Sequence, residues 1–313
     1  MTAPEFTVVM AAHNTAATID SAVRSVLAQT RGDFELIVVD DGSSDETRER
    51  VWPFLSDRRV QLLGLSHAGA AAARGAGIAV GTAPLVSLID SDDLWMPDYL
   101  ELMGAALAAS PGAGFAYTDA WYLDERSRRV RRVSAMGHQR PPEPPPASAA
   151  ELFDALLDRN FIFNAVTVRR SAIDAVGPPD RRLRAMIDWE WWLRLAAAGY
   201  GAVRVPGRHA VYRLRSQSIS RDPALVIGGQ RDLWRLVSRE YDVSDDVRRA
   251  LDARVERFDA ELAALQGRRR VASAVWRLRR RAALTKAALR QRRDFYREAP
   301  AELLEAFGDL RAV

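Results

Sequence analysis

Four short apolar runs recur through the first third of the chain: Phe6–Ala11, Phe34–Val39, Val60–Leu65 and Leu85–Ile89. Each is continuously apolar instead of alternating, the pattern of a strand covered on both faces in a parallel sheet. The segments between them read as helices. Thr15–Gln29 places Ile19, Val23, Val26 and Leu27 on one face, Asp45–Leu55 follows the turn Gly42-Ser43-Ser44, and Ala68–Val80 is rich in alanine. The turn hydroxyls suit a helix N-cap. Strands alternating with helices predict an α/β fold with a doubly wound, mostly parallel sheet and right-handed crossovers.

Farther along, the pattern predicts a fifth strand at Gly114–Thr118 and a charged, hairpin-like stretch through Arg132. Five of the fifteen prolines then fall between Pro141 and Pro146. Such a run excludes helix and central strand, so it reads as an exposed loop leading into a helix at Ala149–Asp158. Val166–Arg170 reads as a strand and Asp188–Ala198 as a helix with Trp192, Leu195 and Ala196 inward. From Asp222 onward the pattern is helical, over Pro223–Glu240, Ser244–Leu265 and Val271–Tyr296.

Composition narrows the class. With 313 residues, 48% apolar and 27% charged, the chain has enough apolar content for one large or two moderate cores. It has no cysteine, which excludes disulfides and thiolate chemistry. The longest uncharged stretch, Leu102–Thr118, is interrupted by Gly104, Pro111, Gly112 and Gly114, so no membrane span is predicted. Met1 leads into an apolar strand with no basic leader region, and the expected location is cytoplasmic or peripheral on the cytoplasmic membrane face. The net charge of +4 is unevenly spread: the segment Arg268–Arg297 carries +11, leaving −7 on the rest. A basic amphipathic helix there could lie on anionic lipid, pack on the acidic body or join a second copy. Aromatic–basic interleaving of the RNA-binding kind is missing, so nucleic acid is not an expected partner.

The polar residues punctuate the strands at one end. The first apolar run ends in Ala12-His13-Asn14, the second in Asp40-Asp41-Gly42 and the fourth in Asp90-Ser91-Asp92-Asp93. In a parallel sheet these ends open on one edge, where ligands of α/β sheets bind. Five carboxylates on one rim repel unless something positive sits among them, and a divalent cation, Mn²⁺ or Mg²⁺, is the simplest remedy. Taken singly, Asp40, Asp41 and Asp90 could instead cap turns and helices. The stretch Gly75-Ala76-Gly77-Ile78-Ala79-Val80-Gly81 imitates a dinucleotide-binding fingerprint, but its last glycine is one position late and it ends a helix. Close packing of that helix end is the expected role.

These residues together resemble the family 2 glycosyltransferases of GT-A fold. The resemblance is carried by His13-Asn14, Ser25-Val26-Leu27-Ala28-Gln29-Thr30, Phe34–Asp45, Ala73-Arg74 and Asp90–Asp98, dense over residues 6–100, thinner over 151–220 and without guidance beyond 220. It implies a GT-A domain over 1–220, with a nucleotide-sugar-binding half at 1–125 and an acceptor-binding half at 126–220, then a helical C-terminal extension at 221–313. It implies an inverting enzyme that moves a sugar from a nucleotide-diphospho-sugar to a hydroxyl of a sugar or lipid-linked acceptor in polysaccharide, cell-envelope glycan or glycoconjugate synthesis. Carried over by position, Asp41 would hydrogen-bond the base, His13 would lie against it, and Ala11 and Ala12 would offer backbone contacts. Arg74 and Ser91 would help hold the nucleotide-sugar, Asp90 would sit near the ribose or the metal's shell, and Asp92 would ligate the metal. Asp188 would be the catalytic base, Glu190 the alternative, with the neighbouring tryptophans desolvating it and offering flat faces to a sugar. The chain departs from the family where a histidine often follows a Tyr-Arg pair: Arg215 stands near that place. A sugar nucleotidyltransferase and a non-catalytic membrane-surface or scaffold protein are the rival classes. Ala11-Ala12-His13-Asn14 lacks the glycine-rich basic loop the first of these usually has.

Overall fold

The apolar runs form strands β1 (Phe6–Ala12), β2 (Phe34–Asp40), β3 (Val60–Gly64) and β4 (Leu85–Asp90), all parallel and side by side in the order β3-β2-β1-β4. In the computed structural model the described residues are 3–124, 129–214, 222–271, 296–297 and 299–307. Phe6, Val8, Val9, Met10, Leu36, Ile37, Val38 and Val39 are wholly buried, which accounts for the unbroken apolar runs: both faces of β1 and β2 are covered.

Beyond β4 the sheet becomes mixed. Strand β5 (Leu94–Trp95) is followed by β6 (Ala113–Asp124), β7 (Arg129–Arg131), β8 (Val166–Arg169) and β9 (Gly201–Leu214). β8 lies antiparallel between β4 and β6, while β6 runs parallel to β9 and antiparallel to β7. The short β5 pairs with β9. The long strand β9 was not predicted. It is largely half-buried, with Arg204, Gly207, Arg208 and His209 breaking any apolar run, and its register with β6 shifts around Asp119.

Helix α1 (Ile19–Leu27) buries Ile19, Ala22, Val23 and Val26, the face expected from its periodicity. It starts later than Thr15 because the Thr15 carbonyl accepts from Thr18 and Ile19 N–H in a preceding turn. Helix α2 (Thr47–Val51) gives way to a 3-10 turn at Trp52–Ser56, where Pro53 supplies no N–H to an α-helical ladder. Helix α3 (Ala70–Val80) ends at Gly81. A Cβ on Gly77 would overlap Val9 and press on Val39, and one on Gly81 would overlap Thr7, so the imitation fingerprint is a close helix–sheet contact. The remaining helices of this part are α4 (Tyr99–Ala109), α5 (Ala135–Gln139), α6 (Ala149–Asp158), α7 (Arg170–Val176) and α8 (Ile187–Ala197).

The chain divides into two compact units, one made of Met1–Arg181, Ile187–Leu214 and Glu298–Val313, the other of Arg182–Met186 and Arg215–Arg297. In the second unit, α9 (Pro223–Glu240) and α10 (Asp245–Val271) pack against each other, burying Leu233, Trp234, Val237, Leu251, Val255 and Phe258. Arg235 pairs with Asp259 and Ser238 with Asp252, so the two helices run in opposite directions. Residues 272–295 and Arg215 lie outside the described residues, and with them the predicted basic helix and its lipid or oligomer contacts. Among the described residues no helix is long and apolar enough to cross a membrane.

Candidate active site

Register brings the strand ends together. Ala12 of β1 stands beside Asp40 of β2, and Ala11 beside Asp90 of β4, so the polar residues that follow all emerge on one edge. Ala11 is half-buried and Ala12 buried, with the Ala12 carbonyl accepting the Asp41 N–H at 2.8 Å.

At one side of this edge Asp41 is buried, and its two carboxylate oxygens accept N–H bonds from Ala68 at 2.6 Å and Gly69 at 2.8 Å. Asp41 thereby ties the end of β2 to the entry of α3, where Gly69 has φ +92°. His13 and His67 lie over this point with ring centroids 4.4 Å apart. The hydrogen bonds fix the His13 tautomer. Ser44 N–H donates to Asn14 Oδ1 at 2.8 Å, which turns Asn14 Nδ2 toward His13 Nε2 at 3.2 Å. Nε2 must therefore accept, leaving Nδ1 to donate to the Asp41 carbonyl at 2.9 Å.

The other side holds the carboxylates of β4 and α8. Arg74 of α3 donates to Asp90 Oδ1 at 2.6 Å, and Asn164 Nδ2 donates to Asp90 Oδ2 at 3.1 Å. Burial works against the Arg74 charge, but Asp90, Asp188 and Asp92 together more than offset it, and the guanidinium is held more firmly protonated than usual. That one cation thus senses carboxylates from β4, from the following turn and from α8. Ser91 is buried and Asp92 half-buried.

Asp188 opens α8, which is anchored by its tryptophans. Trp189 Nε1 donates to the Leu156 carbonyl at 2.8 Å, Trp191 Nε1 to the Gly177 carbonyl at 2.9 Å, and Trp192 stacks on Phe115 at 5.3 Å. All three rings are buried, so they hold the helix in place and do not offer open faces to a sugar, contrary to the sequence-based expectation. Burial pushes the Asp188 carboxyl above its ordinary range, against the opposing pull of the Trp189 N–H, Arg74 and Asn160, whose Nδ2 donates to Oδ2 at 3.1 Å. Glu190, the alternative base, is buried and held by Arg194 through bonds of 2.9 and 3.1 Å.

The remaining rim carboxylates have cationic or N–H partners of their own. Asp40 lies 3.3 Å from Arg48 and accepts the Ser43 N–H. Asp93 accepts the Arg213 N–H at 3.0 Å, and the Arg213 guanidinium bonds Ser21 at 2.6 Å. Burial, reinforced by Asp92 and Asp90, raises the Asp93 carboxyl well above its ordinary range. Arginine therefore does part of the neutralising that the sequence reading assigned to a metal ion. Sequence reasoning passed over Asn160, Asn164, Arg48 and Arg213 as site residues. Arg213 belongs to the Tyr-Arg pair of the sequence reading and Asn160 falls in the thinner part of the family resemblance, but neither pattern says what the side chain reaches.

Among the described residues no three histidine or carboxylate groups gather as a ready-made metal site. Mg²⁺ and Mn²⁺ need no such cage, since they commonly take one or two carboxylates and complete their shell with phosphate oxygens and water. The hard oxygens of half-buried Asp92, beside Asp90, fit that kind of site.

The sequence matches the family model described as Glycosyl transferase family 2 over residues 7–177, more than half of the chain. The chain belongs to this family. Among similar curated members, the UDP-Glc:alpha-D-GlcNAc-diphosphoundecaprenol beta-1,3-glucosyltransferase WfgD of Escherichia coli is 41% identical over 96 residues, 30% of this chain and 38% of that protein. The succinoglycan biosynthesis protein ExoO of Rhizobium meliloti is 32% identical over 228 residues, 70% of this chain and 63% of that protein. The match thus spans less than two thirds of either relative's own length. Two solved structures share the GT-A fold of this family 2 member. S. aureus TarS 1-349 in complex with UDP-GlcNAc superposes with a TM-score of 0.60 at 14% identity, covering 86% of this chain and 76% of that one. The mannosyltransferase PcManGT of Pyrobaculum calidifontis, in complex with GDP-Man and Mn2+, gives 0.60 at 18% identity, covering 93% and 81%.

Proposed function

We propose that this family 2 protein is an inverting glycosyltransferase acting in polysaccharide, cell-envelope glycan or glycoconjugate synthesis, in the cytoplasm or at the cytoplasmic face of a membrane. The observation that carries the reading is Arg74, bonded to Asp90 at 2.6 Å and near enough to Asp92 and Asp188 to be favoured by their charges. It joins the end of a donor-type α/β sheet to a buried carboxylate on a separate helix. The names of similar proteins, which include UDP-glucose, UDP-GlcNAc and GDP-mannose, support a nucleotide-diphospho-sugar as donor.

In this reading the nucleotide lies along the edge formed by Ala11, Ala12, His13 and Asp41, with Arg74, Asp90 and Ser91 toward the diphosphate and sugar. Asp188 takes the proton from the acceptor hydroxyl as that oxygen bonds to the anomeric carbon. The bond from that carbon to the diphosphate breaks on the opposite side, its electrons leave with the nucleoside diphosphate, and the configuration inverts. The raised basicity of buried Asp188 suits this task, because a base works best when its pKa is near the operating pH. A Mn²⁺ or Mg²⁺ ion held by Asp92 would supply Lewis-acid stabilisation of the leaving diphosphate.

The test is a calorimetric screen of UDP-glucose, UDP-GlcNAc and GDP-mannose with and without Mn²⁺, followed by turnover of Asp188→Asn. The variant is expected to bind the donor as the wild type does and to lose about 10²–10⁴-fold in turnover. Turnover within tenfold of wild type would move the base elsewhere, and absence of any nucleotide-sugar binding would defeat the whole reading.

A further inference from the structure

The connection between α6 and β8 carries two asparagines four residues apart, and each sends its amide to a different carboxylate of the site. Asn160 Nδ2 reaches Asp188 Oδ2 at the first turn of α8, and Asn164 Nδ2 reaches Asp90 Oδ2 at the end of β4, both at 3.1 Å. We propose that Asn160 and Asn164 are positioning residues, Asn160 for the Asp188 carboxylate and Asn164 for Asp90. The proposal rests on the glycosyltransferase reading for its kinetic consequences and on geometry alone for its structural ones.

The orientation of each amide is determined by its surroundings. Asn160 Oδ1 accepts the Ile162 N–H at 3.2 Å, so the amide cannot turn over without losing that bond and setting oxygen against oxygen at Asp188. Asn164 Nδ2 is directed at Asp90, and among the described residues its Oδ1 has no hydrogen-bond partner. With Arg74 on Oδ1 and Asn164 on Oδ2, Asp90 is gripped at both oxygens.

The chemistry of an amide fits the task at Asp188. A base must be aimed at its proton yet remain basic. A second arginine beside Asp188 would aim it but stabilise the ionised form strongly and weaken it as a base. A neutral N–H donor holds one carboxylate oxygen with a smaller effect on its basicity. One short connection thereby sets the base and the donor-side carboxylate relative to each other.

Asn160→Asp keeps the volume and the acceptor for Ile162 N–H but sets a second carboxylate against Asp188, whereas Asn160→Ala removes the donor without adding charge. Both Asn160→Asp and Asn160→Ala are expected to lower nucleoside diphosphate release from UDP-glucose, UDP-GlcNAc or GDP-mannose about 10–100-fold at unchanged calorimetric donor affinity. Asn164→Ala is expected to act in the opposite sense, weakening donor affinity more than turnover at saturation. Crystal structures of the Asn160 variants should show the Asp188 carboxylate displaced or spread over several rotamers. Wild-type turnover in Asn160→Asp, or an undisturbed single Asp188 conformer in Asn160→Ala, would overturn the proposal. If the wild-type protein binds and turns over none of the three donors, the glycosyltransferase reading fails, and the crystallographic comparison still decides whether Asn160 positions Asp188.

Discussion

Asp188 sits under opposed influences: burial drives its carboxyl toward the neutral form, while Arg74, the Trp189 N–H and Asn160 favour the charged one. Asp90, already paired with Arg74, adds a repulsion of the same sign as burial. Because the base works ionised, turnover at saturating donor should fall as pH drops through its raised pKa. Removing the Arg74 charge withdraws attraction from Asp188 and unmasks Asp90, so both changes push the pKa farther up. The acid limb of the turnover profile of Arg74→Gln is therefore expected at higher pH than in wild type, and a limb unmoved or shifted down would show that Arg74 does not act on the base. At this scale the placing of Asp40, Asp41 and Asp90 on one edge was legible because strand ends in a parallel sheet share it, whereas Asp188 came from the family resemblance alone. Asn160 and Asn164 were not legible, since an asparagine beside an apolar run has the same appearance whether it faces solvent or a carboxylate.

Among the elements, α3 shows how a motif misleads when read without its neighbours. Its glycines look like a phosphate-binding loop, yet Gly77 is placed where a methyl group would meet Val9 and Val39. Gly77→Ala should thus destabilise the fold by about 1–3 kcal/mol through overpacking, measurable by denaturant titration, even though alanine is the better helix former. An unchanged midpoint would mean the helix can shift away from the sheet at little cost. Strands β1, β2 and β4 were predicted nearly to the residue because burial on both faces leaves an unbroken apolar signature. β9 left no such trace, since it is half-covered, bulged and studded with arginine, and its pairing with β5 and β6 creates it.

On the scale of the molecule, the chain end returns to the first unit. Helix α11 (Ala301–Phe307) buries Leu303 completely in a cluster with Leu94, Met96, Trp121, Leu123, Val130 and Val211. Leu94 and Met96 directly follow the Asp90–Asp93 turn, so this late segment backs the stretch on which the carboxylates stand. Leu303→Ala is expected to cost about 2–5 kcal/mol, the usual range for emptying a leucine site in a core. Thermal or denaturant unfolding that leaves the midpoint in place would mean the segment is only loosely applied. The periodicity of residues 301–307 offered no hint of this, because seven residues are too few to declare which distant surface they cover.

Local order and chemistry were written along the chain: apolar runs sized for buried strands, acidic residues placed at their ends, and motifs in the sequence order of family 2. These follow from short-range rules, in which side-chain pattern and backbone preference act over a few residues. Only the folded arrangement decided the antiparallel insertion of β8, the inward packing of the α8 tryptophans, the use of arginines to quiet the acidic rim, and the two asparagines that reach Asp188 and Asp90. Each of those depends on contacts between residues far apart in sequence, where burial and hydrogen-bond partners are set by the neighbours that tertiary packing supplies.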